Sequence, residues 1–353
     1  MTAPSLALSL LTAAAAHAAP GGDRRAEPIA FRDHAGATAA LHDIARSAPE
    51  LASVFSIGRS VEGRDIWALR LNARARGEEP SDKPGVVFIG TIHAREHLST
   101  EVTLEVARRL VAAREEPAVA AALAGRDAYF IPMLNPDGVE YDIAGGQFRG
   151  HRKNARRGPD GAVGVDLNRN FPVFWGGAGS TDHPADDRYR GPSPLSEPET
   201  RALVAFAASR PNLAAMVSYH TYGATVGHPP AGTTAPLSDG EALTAFRALA
   251  GRMGELAGYS VIQNSSLYLA SGDLCDWAWF DRGLFCFTVE MTPTAGPPPQ
   301  DGPESAAAAE EAFYPGATSV ANAAGAQYPA ALFLLGAAGD PRGAAAGSLV
   351  GSR

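Results

Sequence analysis

The chain has 353 residues, 45% of them hydrophobic, 19% charged and 8% aromatic, with a formal net charge of −8. This composition is globular, and the acidic balance argues against nucleic acid or an anionic membrane as the main partner, since both reward a basic surface. Two cysteines, Cys275 and Cys286, are too few for a disulfide framework or a cysteine-based zinc finger.

The first residues, "MTAPSLALSLLTAAAAHAAP", have a short apolar core and an Ala16–His17–Ala18 end. Residues 1–18 therefore read as a signal peptide, although a positive start is missing, and 19–32 as a linker. The corresponding expectation is a secreted or periplasmic protein. "ATAALHDIARSAPEL" (37–51) predicts a helix, and "VFSIGRSVEGRDIWALRL" (54–71) two strands around a turn at Glu62–Gly63. "GVVFIGTI" (85–92) is a continuous apolar run, the pattern of a strand buried on both faces.

The letters "HAREH" (93–97) follow, and they have two incompatible readings. Inside a helix, His93 and His97 would share one face and match H-x-x-E-H, with Glu96 as a base. At the end of a strand, His93 and Glu96 could both be metal ligands. Val102, Val106 and Leu110 then recur with helical spacing, and Ser99 or Thr100 can serve as N-cap. His93 thus precedes the helix and falls at a strand's carboxyl end, where open α/β sheets bind their ligands. The strand-end reading is the better one.

Further buried strands are expected at 128–134, 213–220 and 284–291. Ser196-Glu197-Pro198-Glu199 and Ser238-Asp239-Gly240-Glu241 match the capping box that starts a helix. Strands alternating with helices indicate one α/β domain over 33–336. It would have a mixed, largely parallel twisted sheet of about eight strands, flanked by helices on both faces. No later run of about 18 apolar residues suggests a membrane span. The end, "AAGDPRGAAAGSLVGSR" (337–353), reads as a disordered tail.

A catalytic zinc needs three protein ligands and an open position. His220, in "VSYHTYG" directly after a β-rich run, is a candidate third ligand, although a lone histidine there is more often structural. The ordered set "HAREH", "NPDG" (135–138), "HRKN" (151–154), "GVDLNRNF" (164–171), "SYHTYG" (218–223), "LYLASGDLCDW" (267–277) and "FTVEM" (287–291) resembles the zinc metallocarboxypeptidases of the carboxypeptidase A/B type. The resemblance covers roughly residues 33–325 and is nearest in character to bacterial members of mixed specificity.

It implies one zinc per chain held by His93, Glu96 and His220, with Glu290 as general base. The competing reading of Glu290 is a structural carboxylate paired with an arginine. Asp166 would accept the other ring N–H of His93, and Arg152 would stabilise the developing oxyanion. The remaining cations of "RGHRKNARR" (149–157) are more simply a solvated loop. Asn168 and Arg169 match the clamp for a free C-terminal carboxylate, for which a planar guanidinium is suited. Tyr268 matches a mobile tyrosine that closes over substrate, while Arg95 and Tyr222 match positions lining the sites upstream of the cut.

For the side-chain pocket, the aspartate of members preferring basic residues is replaced by Cys275, a small and nearly apolar group. Asp273 could meet a long cationic side chain, or serve as an acid at a helix N-terminus. The resemblance implies removal of apolar and aromatic C-terminal residues first, with some Lys and Arg, from peptides or proteins, by a monomer. A carboxypeptidase acting on cell-wall peptides with D-residues or diaminopimelate is the alternative on the same scaffold. Cys275 and Cys286 either form a bridge beside the pocket or are two buried thiols, the bridge being slightly favoured. His97 stands where a bulky residue is usual and is not expected on zinc. About thirty residues precede the catalytic pattern, too few for the folded propeptide of digestive members.

Overall fold

The computed structural model describes residues 31–158, 161–292 and 312–350. Residues 1–18, read above as a signal peptide, most of the segment read as a linker, and residues 159–160, 293–311 and 351–353 lie outside the described residues.

Eight strands form one mixed sheet in the order β1-β2-β4-β3-β5-β8-β6-β7. They are β1 Ala52–Arg59, β2 Asp65–Leu71, β3 Gly85–Ile89, β4 Asp127–Ile131, β5 Leu213–Thr221, β6 Thr225–His228, β7 Ser260–Gln263 and β8 Phe285–Met291. The central strands β4, β3, β5 and β8 run parallel, as do β6 and β7, while β1–β2, β2–β4 and β6–β8 are antiparallel. The α/β architecture read from the alternating pattern is the one observed. The four-residue strands β6 and β7 carried too short a pattern to be read beforehand.

Every residue of β3 and β4 is buried. Successive side chains point to opposite faces, so β3 feeds two cores. Val86 and Phe88 join Val102, Val106 and Leu110 of α2 (His97–Ala112) and Leu41 of α1 (His34–Ser47) on one side. Val87 and Ile89 join Leu203 and Phe206 of α5 (Pro198–Ala208) and Trp277 of α7 (Leu274–Arg282) on the other. Helices α3 (Pro117–Gly125), α4 (Pro136–Ile143), α6 (Gly240–Ala257) and α8 (Ala317–Ala337) complete the two outer layers.

Three local expectations are corrected. Helix α2 begins at His97 with Glu96 in the N-cap position, so Ser99 and Thr100 lie inside its first turn. The Ser99 hydroxyl instead donates to the Glu96 carbonyl and receives the Thr91 N–H, tying the helix start to the strand it follows. The N-caps of α5 and α6 are Glu197 and Asp239, one residue beyond each predicted serine; Asp239 accepts from the Ala242 N–H. Finally, the segment read as a disordered tail contains a helix, α9 (Pro341–Val350). Composition missed it because the segment is rich in small residues, glycine and alanine above all. Ala345 is nevertheless buried, and Arg342 pairs with Asp239 at the start of α6.

From β3 the chain moves to β4 on one side, and β5 and β8 lie on the other. The point between β3 and β5 is therefore a topological switch, where the carboxyl ends of neighbouring parallel strands leave a crevice for a ligand.

Candidate metal centre and substrate site

His93 and Glu96 lie in the loop joining β3 to α2, and His220 is the penultimate residue of β5. All three are about 2% exposed. Their ligand atoms converge: His93 Nδ1 is 2.8 Å from Glu96 Oε1, His220 Nδ1 is 3.0 Å from Glu96 Oε2, and the two Nδ1 atoms are 3.2 Å apart. Donors about 2.0–2.1 Å from one tetrahedral ion lie roughly 3.3 Å from each other, close to these separations. Two buried imidazole nitrogens this close to each other and to a shared carboxylate form a ready donor set for a divalent cation. The donor set fits zinc. Among the described residues it is the one group of at least three His, Cys, Asp or Glu side chains placed to hold a metal.

Burial disfavours the charged Glu96 carboxylate, but the two flanking histidines overcome this and hold it below its usual range. The far ring nitrogens are directed too. His220 Nε2 lies 3.0 Å from Ser218 Oγ, two residues back along β5. His93 Nε2 lies 3.3 Å from Asp166 Oδ1. Asp166 is fully buried and receives Arg152 Nε at 2.9 Å and the Asn168 N–H at 2.9 Å. Burial would raise its pKa, yet Arg152, Arg169 and His93 drive it well below the usual aspartate value.

The HAREH letters resolve against the helical reading. His97 is buried but points to the far side of the loop, where its Nε2 meets Asp142 Oδ2 at 2.8 Å and its ring stacks on Phe31. Asp142 also accepts the His151 N–H at 2.6 Å and the Tyr314 hydroxyl at 3.1 Å. This hub joins the ligand loop to the Arg152 loop, and sequence reasoning missed it. His97 and Tyr314 lie 45 and 172 positions from Asp142, so no local pattern could reveal it.

Glu290 sits on β8 directly opposite His220 in the parallel register. Burial is the main influence on its carboxyl and pushes it up to about 7, with His220 opposing the shift. Gly223 makes room here: a Cβ on it would lie 2.8 Å from Glu290 Cβ. The arginine-paired alternative for Glu290 has no contact to support it among the described hydrogen bonds and ion pairs.

Arg152 and Arg169 are 8% and 1% exposed. Asp166 outweighs the burial penalty on Arg152 and keeps it firmly charged. Arg169 donates to the Gly179 and Asn168 carbonyls, and its guanidinium lies 5.9 Å from the Tyr268 ring. Gly272, at φ +79°, passes so close to the Arg169 carbonyl that a Cβ would lie 2.3 Å from it. Tyr268 is 54% exposed on the loop between β7 and α7. Arg95 and Tyr222 both contact Phe313, the arginine over the ring at 4.7 Å and the tyrosine edge-on.

A pocket beside the metal donors is lined by Asn168, Thr225, Ile262, Tyr268, Asp273 and Thr288, among others, and by Glu290. The helix-cap reading of Asp273 is the one its hydrogen bonds show. It lines this pocket and caps α7, its Oδ1 accepting from the Cys275 and Asp276 N–H groups while Oδ2 receives Asn168 Nδ2. Cys275 is corrected as a pocket residue. It is fully buried, bonded to Cys286 in a disulfide, and not among the pocket's lining side chains. The bridge draws it towards β8, so Thr288, whose hydroxyl lies 3.6 Å from Cys275 Sγ, presents the wall instead. Asp276 stays apart from the pocket and holds the Ala231 and Gly232 N–H groups.

The fold agrees with comparisons to known proteins. A family model described as "Zinc carboxypeptidase" matches residues 37–314. The chain belongs to the zinc carboxypeptidase family. It is similar to a zinc carboxypeptidase of Saccharothrix mutabilis subsp. capreolus, 32% identical over 77% of this chain and 61% of that protein. Similarity to mouse carboxypeptidase A4 is also 32%, over 72% of this chain and 60% of the relative. The match thus spans about 60% of the length of these relatives. In structure the chain resembles the carboxypeptidase A of Helicoverpa armigera, with a TM-score of 0.73, 25% identity, and coverage of 90% of this chain and 74% of that one.

Proposed function

We propose that the protein is a zinc-dependent exopeptidase that hydrolyses the last peptide bond of peptides or proteins bearing a free C-terminus. The observation that carries this reading is the convergence of His93, Glu96 and His220 with Glu290 opposite His220 in the β5–β8 register. Bound at these donors, zinc would act as a Lewis acid on the scissile carbonyl and lower the pKa of a water ligand towards neutrality. Glu290 takes the proton from the attacking water and delivers it to the leaving amine. Burial pushes its carboxyl up in the metal-free site, and a zinc ion held by the neighbouring donors would act against that rise. Arg152, held charged by Asp166, faces the charge that develops on the carbonyl oxygen. Asn168 and Arg169 receive the terminal carboxylate, and the exposed Tyr268 closes over it. That clamp distinguishes an exopeptidase from an endopeptidase, which has no use for a buried cation past the cut bond.

The terminal side chain enters the pocket lined by Thr225, Ile262, Asp273 and Thr288. This mixed lining supports a preference for apolar and aromatic residues with some cleavage of Lys and Arg, the latter through Asp273. The N-terminal segment supports export, and no helix among the described residues is long and apolar enough to cross a membrane.

The test is metal analysis with peptide hydrolysis before and after chelation, repeated on Glu290→Gln. That variant should keep its zinc and lose about 10²–10⁴-fold in kcat. Peptides ending in L-Phe, L-Leu, L-Arg and L-Glu should be compared with muropeptide fragments. Glu as the best terminal residue, or hydrolysis of muropeptides alone, would overturn the proposed specificity.

A further inference from the structure

A chain of net charge −8 places four arginines along the groove beside its metal centre. Arg95, Arg152, Arg169 and Arg188 line it against one acidic residue, Asp187. Tyr268 belongs both to this groove and to the pocket for the terminal side chain. Arg95 lines this groove too, and the resemblance sets that residue beside the path of the upstream part of a peptide.

Two of the arginines are already occupied in the proposed scheme, Arg152 with the carbonyl oxygen and Arg169 with the terminal carboxylate. Arg188 has no task there, and Arg95 only lines the path. Both meet carboxylates that reach solvent, Arg188 through two nitrogens and Arg95 through one. Arg188 is 57% exposed in its side chain and meets Asp186 at 3.2 Å. Arg95 reaches Asp187, itself 58% exposed, through Nη1 at 3.1 Å, and the same atom donates to the Gly150 carbonyl. Its Nε is buried with no partner. The carboxylate of the Arg95 pair lies open to solvent, as does the Arg188 guanidinium, and ion pairs that water reaches in this way contribute little. The guanidinium fork suits an incoming acid, because it can meet both of its oxygens.

We propose that Arg95 and Arg188 form an acid-selecting subsite, so that the enzyme favours peptides carrying Asp or Glu just upstream of the residue it removes. The inference rests on the carboxypeptidase reading and adds a substrate class to it. An upstream Lys meets like charge in the same groove and is disfavoured.

N-acetylated tripeptides ending in Phe, with Glu, Gln or Lys at each upstream position, test this on the zinc-loaded protein. The expected order in kcat/KM is Glu, then Gln, then Lys. The Glu-to-Lys ratio should be about tenfold at low ionic strength, as two screened ion pairs allow, and should shrink in high salt. In Arg188→Gln and in Arg95→Gln the ratio should fall, and in the double variant it should approach one. Because Arg188 is exposed, its variant should fold, and an unchanged melting temperature would verify that.

Binding of the same peptides to zinc-loaded Glu290→Gln, followed by calorimetry, gives a readout that needs no turnover. Binding in the order Glu, Gln, Lys without hydrolysis by the wild type would uphold the subsite while refuting the proposed activity. Hydrolysis with no upstream preference, or with Lys favoured, would refute the subsite alone. A preference that survives in the double variant would remove these arginines as its cause, and absence of both binding and hydrolysis would overturn the inference together with the function beneath it.

Discussion

Replacing Asp166 by Asn removes one negative charge and leaves the side chain's shape almost unchanged. Asp166 is fully buried and has three cationic or N–H partners within reach: Arg152 Nε at 2.9 Å, His93 Nε2 at 3.3 Å and Arg169 Nη1 at 4.0 Å. Its Oδ1 also accepts the Asn168 N–H. Arg152 Nε and the Asn168 N–H donate to Asp166, while His93 and Arg169 present their nitrogens at longer range. Whichever way an Asn amide is turned, its own NH₂ faces a donor, and two buried arginines lose the anion that compensates them. Breaking one member of a buried ion pair costs about 3–5 kcal/mol, so the metal-free Asp166→Asn protein should be less stable by about that amount. Loss of the partner that orients a ligating histidine lowers metal affinity by about 10–100-fold. Urea unfolding of the metal-free protein measures the first effect, and competition for zinc against a chromophoric chelator the second. Asp187→Asn, at an exposed position, serves as control and should change stability by less than about 0.5 kcal/mol. If Asp166→Asn matched that control in stability and bound zinc like the wild type, the role given to this carboxylate would be wrong.

Replacing both Cys275 and Cys286 by Ser opens a bridge between residues eleven positions apart, which should cost about 3 kcal/mol by loop entropy; urea midpoints in the absence of reductant would measure it. Asp273→Ala removes a helix cap and the partner of Asn168, so stability should fall by about 1 kcal/mol, KM should rise, and Arg-ending peptides should lose more than Phe-ending ones. A pH effect follows from Glu199, whose carboxyl is pushed by burial from 4.5 up to about 7. A raised native pKa means that the folded protein binds the proton more tightly than the unfolded chain. The resulting stability is fully present below the unfolded value and is lost as pH rises towards 7, by up to about 3 kcal/mol. Unfolding at pH 5 and pH 8 should therefore show a smaller loss in Glu199→Gln than in the wild type, and equal losses would refute the assignment.

Much of this protein could be read from its letters, because the informative signals were local or came as an ordered set. A continuous run such as "GVVFI" must be buried on both faces, and the change to helical spacing after His97 left His93 in a loop at a strand end. Motifs spread over most of the chain specified which histidine joined His93 and Glu96. Other features were written between distant positions. Short β6 and β7 depend on pairing with β8 and with each other, and the helix beyond Pro341 on alanine packing against a neighbour.

The sequence by itself determined the α/β class and the buried central strands, which rest on residue type and short-range spacing, while the candidate ligand set came from the order of motifs along the whole chain. Tertiary structure alone decided that Cys275 turns towards Cys286 instead of the pocket, that Asp273 serves both a helix cap and Asn168, and that Asp142 joins His97 to the loop of Arg152. Those choices depend on which side chains meet across tens of residues, and contact in space is fixed only when the sheet and its two helical layers close around the same core.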